Sequence, residues 1–302
     1  MYLCRGLHEP KIPETFTHIA DHPDVITDPY PLPDTMARLA GGDLLVVGTN
    51  LSAIEIALDL ADRGSTVTMA SRNGLLPSVR RVLPDDLDLL DAWRRRLADG
   101  LPSSAEQAAQ LIARNAEELG RPFPQDDPGS FTPAALLEKE IDACLGDNHW
   151  SELIIPLSRV LNRSPEAARP GGEAMEGPPL RRYTNAIPLD TAYRLQGALG
   201  RGSVTITTIG PTLEAGALAD FRLDDPGRLR RFDAVVLACG WELPGPIPGF
   251  PDQWVSSHPS DLRQPGPWTV PIGIEAHHVL AVPNALFATE DQIHGLATAG
   301  LL

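Results

Sequence analysis

Only two of the 302 residues are lysine, Lys11 and Lys139, only three are cysteine, and no apolar run reaches the ~20 residues that span a bilayer. Each shortage removes a class of function. Cys4, Cys144 and Cys239 are odd in number and far apart, so they offer neither a disulfide framework nor a CxxC metal or redox pair, and free thiols are expected. The opening MYLCRGLHEP lacks a secretory apolar core, which makes the cytosol the expected compartment and a membrane an unexpected partner. Basic residues number 25 against 40 acidic ones, a net charge of -15. A surface of that sign repels phosphate backbones, so nucleic acid is not an expected partner, and solubility is the ordinary consequence. The histidines include the neighbours His277 and His278, which read as a surface loop, and no HExxH or similar spacing, so no metal site is expected. Neither a G-x-S-x-G elbow nor a P-loop is present, which leaves hydrolase and kinase chemistry without support.

What is present begins at 43–74, DLLVVGTNLSAIEIALDLADRGSTVTMASRNG, in a chain whose 42% apolar content suffices for an ordinary core. A buried strand, a glycine turn, an amphipathic helix over 52–63 with Ala53, Ile56, Ala57 and Leu60 on one stripe, a closing Gly64 and a second strand TVTMAS make a βαβ start. A dinucleotide site there needs a glycine leaving the strand, a second residue without bulk beside the pyrophosphate, and a small third residue where helix packs on sheet. Gly48, Asn50 and Ala53 occupy those places, with Thr49, Leu51 and Ser52 completing the turn and helix start. Asn50 departs from the pattern: asparagine tolerates unusual backbone angles, but its side chain takes room the phosphate would use. Nucleotide binding and mere helix-on-sheet packing are both open on spacing alone. At the end of the second strand, Ser71 and Arg72 stand where an acidic residue would hold a ribose 2′-hydroxyl, so the pattern favours a 2′-phosphate and NADP(H); the alternative is an Arg72 that simply reaches solvent.

Around this start, 1–40 is proline-rich and reads as an extended, linker-like segment on a surface. A helical insertion is expected over 83–182, with Leu87, Leu90 and Leu97 near one face, a capping box from Ser104 to Gln107, and TPAALLEKEIDACLG carrying Thr as cap, Pro in the first turn and Gly at the end. Within it, 163–181 has the Pro, Gly and charge content of a mobile loop. A helix near 190–199 follows, and 203–239 reads as a short β-meander turning at DDPG, with its last strand entering a parallel sheet. The expected fold is α/β: a Rossmann-like dinucleotide-binding domain over 41–82 and 183–245, with a parallel sheet, a β-meander and the helical insertion. Trp93, Trp150 and Trp241 read as packing residues, and Cys239 as an inert thiol on a buried strand.

These motifs carry a resemblance. GTNLSAIEIALDLADRG followed by VTMASRNGLLP resembles the NADPH-binding half of the FAD- and NAD(P)-dependent flavoproteins that include the flavin monooxygenases and the ornithine and lysine N-hydroxylases. DAVVLACGW at 233–241 is similar to the D.VI.ATGY strand by which those enzymes leave the NADPH domain, and YLCRGLHEPKIPE at 2–14 to the strand by which they leave the first FAD segment. FTHIADH is similar to their FxGxxxH element, with His18 in place of the glycine and His22 matching the histidine. The resemblance implies a catalytic role for His22 and cofactor contacts from Cys239 and Gly240. NALFATEDQIHGLATAGLL resembles the element that returns to the FAD domain, with Glu290 before Asp291, so 246–302 is expected to be a remnant of that domain. The family's FAD fingerprint, an earlier GxGxxG unit, is not in the sequence, and tight FAD binding by this chain alone is not expected. The resemblance thus implies an NADPH-binding component of a flavin-dependent oxidoreductase acting on a small molecule, its flavin supplied by a FAD-bearing partner, within a homo-oligomer, or by diffusion. A scaffold repurposed for a non-redox biosynthetic step and a non-catalytic partner subunit remain open beside it.

Overall fold

The computed structural model describes residues 2–4, 10–81, 113–114, 116–124, 127–147, 149–153, 182–183, 186–209, 214–216, 220–222, 232–240 and 270–272. The strands are β1 (Tyr2–Cys4), β2 (Val25–Ile26), β3 (Asp43–Val47), β4 (Thr66–Ser71), β5 (Val79–Arg80), β6 (Ile187–Pro188), β7 (Val204–Thr208), β8 (Glu214–Gly216), β9 (Asp220–Arg222), β10 (Ala234–Leu237) and β11 (Val270–Ile272). The helices are α1 (Leu32–Leu39), α2 (Leu51–Asp62), α3 (Pro133–Leu145) and α4 (Leu189–Arg201).

Five strands form one parallel sheet in the order β2, β10, β3, β4, β7. The chain moves outward from β3 through α2 to β4 and through α4 to β7, then returns to the other flank of β3 with β10. The order therefore reverses between β3 and β10, the topological switch point of a Rossmann-like α/β fold. Period-two alternation fixes the two layers. Leu44, Val46, Val67, Met69, Ala234 and Val236 face a core shared with α1, α2, α3 and α4, whereas Leu45, Val47, Ala70, Val235 and Leu237 face Phe16, Ile19 and Phe232. Both faces of β3 are buried, which is why its run is continuously apolar and not alternating.

Two expectations are corrected. The segment expected as an extended linker over 1–40 contributes α1, with Met36 and Leu39 buried, and edge strand β2, paired to β10 through Val25 and Ile26. Proline did not prevent this because Leu32 and Pro33 open α1, where a missing N–H leaves no helical bond unmade. Within the expected meander, β7 runs parallel to β4 inside the main sheet and is not antiparallel to its successor, while β8 does pair antiparallel with β9; the DDPG turn lies outside the described residues. The last strand does enter the parallel sheet, as β10.

Of the insertion, α3 is described. Its cap Thr132 accepts from the Ala135 N–H at 3.3 Å, Pro133 opens the first turn, and Gly146 ends it. Glu140 ties it to the sheet domain: the Ser78 hydroxyl donates to one carboxylate oxygen and Arg182 donates to the other at 2.8 Å, while Arg182 also donates to the Leu76 carbonyl at 3.0 Å. Trp150 is buried against Phe123 and Tyr183 with ring centroids 5.7 and 4.8 Å away, a packing role. Residues 82–112, including Trp93 and the Ser104 box, and 163–181, Trp241, His277, His278, Glu290 and Asp291 lie outside the described residues.

Candidate functional site

In an open α/β sheet a ligand crevice is expected beyond the carboxyl ends of the strands at the switch point, here those of β3 and β10. The chain leaves β3 through Gly48 at φ +129°, its N–H donating to the Ala70 carbonyl at 2.8 Å. On the other flank the Ala238 N–H donates to the Val47 carbonyl at 2.9 Å. A Cβ on Gly48 would stand 2.5 Å from the Ala238 carbonyl oxygen and 3.2 Å from the Ala53 Cβ. Glycine is required there by both its angle and its neighbours, and Ala53, fully buried, is held small by the same contact.

Asn50 is the cap residue of α2, with extended angles (φ -82°, ψ 177°), an exposed side chain and no cap hydrogen bond from it. Nothing in that backbone calls for glycine. The first amides of α2, those of Leu51 and Ser52, precede the Ile54 N–H that bonds back to the Asn50 carbonyl, and stand at the positive end of the helix dipole.

Thr49 is buried and joins the β3 loop to the turn after β4. Its Oγ1 lies 2.7 Å from the Leu75 carbonyl and 3.1 Å from Ser71 Oγ. The Thr49 hydroxyl donates to the Leu75 carbonyl and toward Ser71 Oγ, and the Ser71 hydroxyl donates to Asn73 Oδ1 at 3.5 Å. Ser71 Oγ also accepts from the Gly74 N–H at 3.1 Å, and Asn73 Oδ1 accepts from the Leu75 N–H at 3.3 Å. The Ser71 hydroxyl, expected as a phosphate ligand, is engaged within the turn, and Arg72 beside it is exposed.

Cys239 lies past the end of β10, not on the strand, with its Sγ 3.6 Å from the Val47 carbonyl. Burial pushes its thiol up to about 11, with the Lys11 charge pulling the other way. Gly240 follows at φ +93° with open space about it, and its carbonyl accepts from the Lys11 N–H at 2.9 Å. Lys11 was not singled out by sequence reasoning, although its rarity and its place in HEPKIPE were available signals.

The structure thus gathers Gly48, Thr49, Asn50, Leu51, Ser52, Ala53, Ser71, Arg72, Cys239 and Gly240 at one end of the sheet. His22 does not join them. It precedes β2, which runs parallel to β10, so it sits at the amino end of the strands, where its Nδ1 accepts from the Asp24 N–H at 3.2 Å. Among the described residues no group of three or more His, Cys, Asp or Glu could hold a metal ion, and no helix is long and apolar enough to cross a membrane.

No family model and no curated protein matches the chain. Among solved structures it is similar to the ornithine hydroxylase PvdA from Pseudomonas aeruginosa, at 14% identity and a TM-score of 0.47, over 99% of this chain and 60% of that one. It is also similar to an oxidized steroid monooxygenase bound to NADP, at 18% identity and a TM-score of 0.33, over 78% of this chain and 45% of that one. The chain spans about 60% of the hydroxylase's length.

Proposed function

We propose that the chain binds NADP(H) in the switch-point crevice and acts as the nicotinamide-binding module of a flavin-dependent oxidoreductase of the monooxygenase type, acting on a small molecule. The observation that supports this reading is the reversal of strand order between β3 and β10, with Gly48 turning out of β3 at φ +129° directly into the start of α2. At that turn a diphosphate would accept from the Leu51 and Ser52 amides and lie at the positive end of α2. Arg72, exposed at the end of β4, would take the 2′-phosphate. NADPH supplies a hydride for a flavin; the motif resemblance supports that partner chemistry, with the flavin carried by a FAD-bearing protein or another copy of the chain.

A second reading rests on Asn50. Its side chain makes no cap bond at the helix start, so it is free to stand in the path of a phosphate, as it would in a crevice repurposed for a different small molecule. Calorimetric titration of the purified chain with NADP+ and NAD+ separates the two. Saturable binding within the usual ~1 μM to 1 mM range, tighter for NADP+, is the expected result. Absence of binding by either nucleotide would overturn the first reading.

A further inference from the structure

We propose that Lys11 is a further cofactor ligand, a cation that meets the dinucleotide's diphosphate from the β10 flank of the crevice. The inference rests on the NADP(H) reading above and adds to it a residue, and a contact, that the glycine motif does not contain.

The backbone places Lys11 first. Its N–H donates to the Gly240 carbonyl at 2.9 Å, so the segment before the 3-10 turn at Glu14–Ile19 is strapped along the loop that leaves β10. Its side chain is exposed, and the neighbouring Gly240 has no heavy atom within 4 Å of a Cβ position, so the room above this loop is open. The half-buried Cys239 thiol, whose Sγ lies 3.6 Å from the last carbonyl of β3, follows β10 on the same loop and has Lys11 as its charged neighbour. Among the described residues no carboxylate pairs with Lys11, in a chain carrying 40 acidic residues, and none pairs with Arg72. Two uncompensated cations therefore stand on opposite flanks of one crevice, Arg72 after β4 and Lys11 beside β10.

The order of strands assigns them different partners. In a dinucleotide lying across the switch point, the adenosine ribose lies over the second strand of the βαβ unit, here β4, and the diphosphate lies at the start of the helix between, here α2. Arg72 is on the ribose side and two strands from β10, so the 2′-phosphate belongs to it. Diphosphate oxygens turned away from the α2 amides would face the β10 loop, along which the Lys11 backbone is held by its bond to the Gly240 carbonyl. A lysine acts there as a mobile point charge without the planar fork of an arginine.

Calorimetry on wild type, Lys11→Gln, Lys11→Arg, Arg72→Ala and the remote control Lys139→Gln, at two salt concentrations, tests this. Lys11→Gln should weaken NADP+ and NAD+ by the same factor, about three- to tenfold, and flatten the salt dependence, because a diphosphate is common to both. Lys11→Arg should stay within about twofold of wild type, and Lys139→Gln should match it. Equal affinities in wild type and Lys11→Gln would overturn the inference and leave the NADP(H) reading standing. A loss confined to NADP+ would also overturn it, by assigning Lys11 to the 2′-phosphate. A wild type that binds neither nucleotide would overturn the reading and the inference together.

Discussion

Gly48 lies so close to Ala238 that the β3 and β10 loops meet where one hydrogen replaces a methyl group: a Cβ at residue 48 would stand 2.5 Å from the Ala238 carbonyl oxygen. The contact holds the two loops together at the sheet's carboxyl end. Gly48→Ala adds both a clash and a side chain at φ +129°. The expected loss is about 2–4 kcal/mol of stability, read by urea denaturation, because backbone strain and overpacking each cost about 1–3 kcal/mol. A variant as stable as wild type would show that the two loops are not held together.

Glu140 is the hinge pin between α3 and the sheet domain, accepting from Ser78 and Arg182 while almost fully buried. Removing one member of a buried ion pair leaves the other charge uncompensated, so Glu140→Ala is expected to cost about 3–5 kcal/mol. The double change Glu140→Leu with Arg182→Leu should recover much of that loss, since neither charge is then stranded. A double variant no better than the single one would place the cost in packing and not in the unpaired guanidinium.

How far these features were legible from the residues alone follows the range of the interactions that make them. The helix and strands from Asp43 to Ser71 lie within about one residue of their expected bounds, since glycine turns and apolar periodicity are local. The cap at Thr132 was equally readable. The place of β2 was not: two residues, Val25 and Ile26, become a strand only because β10, more than 200 positions later, offers them an edge. For the same reason 204–208 read as part of a meander, when its partner is β4. At the site, Ser71 and Arg72 were both visible as anion ligands, but the engagement of the Ser71 hydroxyl with Thr49 and Asn73 depends on a turn no spacing rule describes.

That turn gives a prediction that separates two adjacent residues. Ser71→Ala removes a hydroxyl engaged with Thr49 and with the Gly74 N–H, and is expected to cost about 0.5–1.5 kcal/mol of stability while leaving the ratio of NADP+ to NAD+ affinity unchanged. Arg72→Ala should leave stability unchanged within about 0.5 kcal/mol and reduce the ratio about tenfold or more. Thermal denaturation and calorimetry on the same samples check both. A Ser71→Ala variant whose ratio collapses would restore that hydroxyl to the phosphate.

Cys239 should be a slow thiol despite lying at the crevice. Burial raises it to about 11 against an ordinary 9.0, so it is almost wholly protonated at neutral pH, and iodoacetamide labelling should accelerate only above about pH 10. The folded value exceeds the unfolded one, so the stability of the neutral thiol is intact below about pH 9 and is lost as pH rises through about 11. The loss attributable to Cys239 is about 2–3 kcal/mol, and Cys239→Ala should flatten the alkaline limb of the stability profile by that amount. Rapid labelling at pH 7 would mean that the thiol is a nucleophile after all.

Asn50 decides between the two readings of the crevice, and its backbone makes the experiment clean. At φ -82° and ψ 177° the residue is in an extended conformation open to any amino acid, so Asn50→Gly deletes a side chain without releasing strain. Glycine serves as a helix cap within a few tenths of a kcal/mol of asparagine, and no side-chain cap bond exists here to lose, so folding should be little affected. The exposed carboxamide can swing away from the helix start or donate to a phosphate oxygen, and under the NADP(H) reading the substitution should change affinity less than about threefold. Should the side chain instead fill the approach to the Leu51 and Ser52 amides, wild type would bind NADP+ poorly and Asn50→Gly would tighten it more than about tenfold, equally for NAD+, since the obstruction lies at the diphosphate common to both. Calorimetry of the two proteins with the two nucleotides reads the difference, and the second pattern would mark the crevice as one shaped for a different ligand.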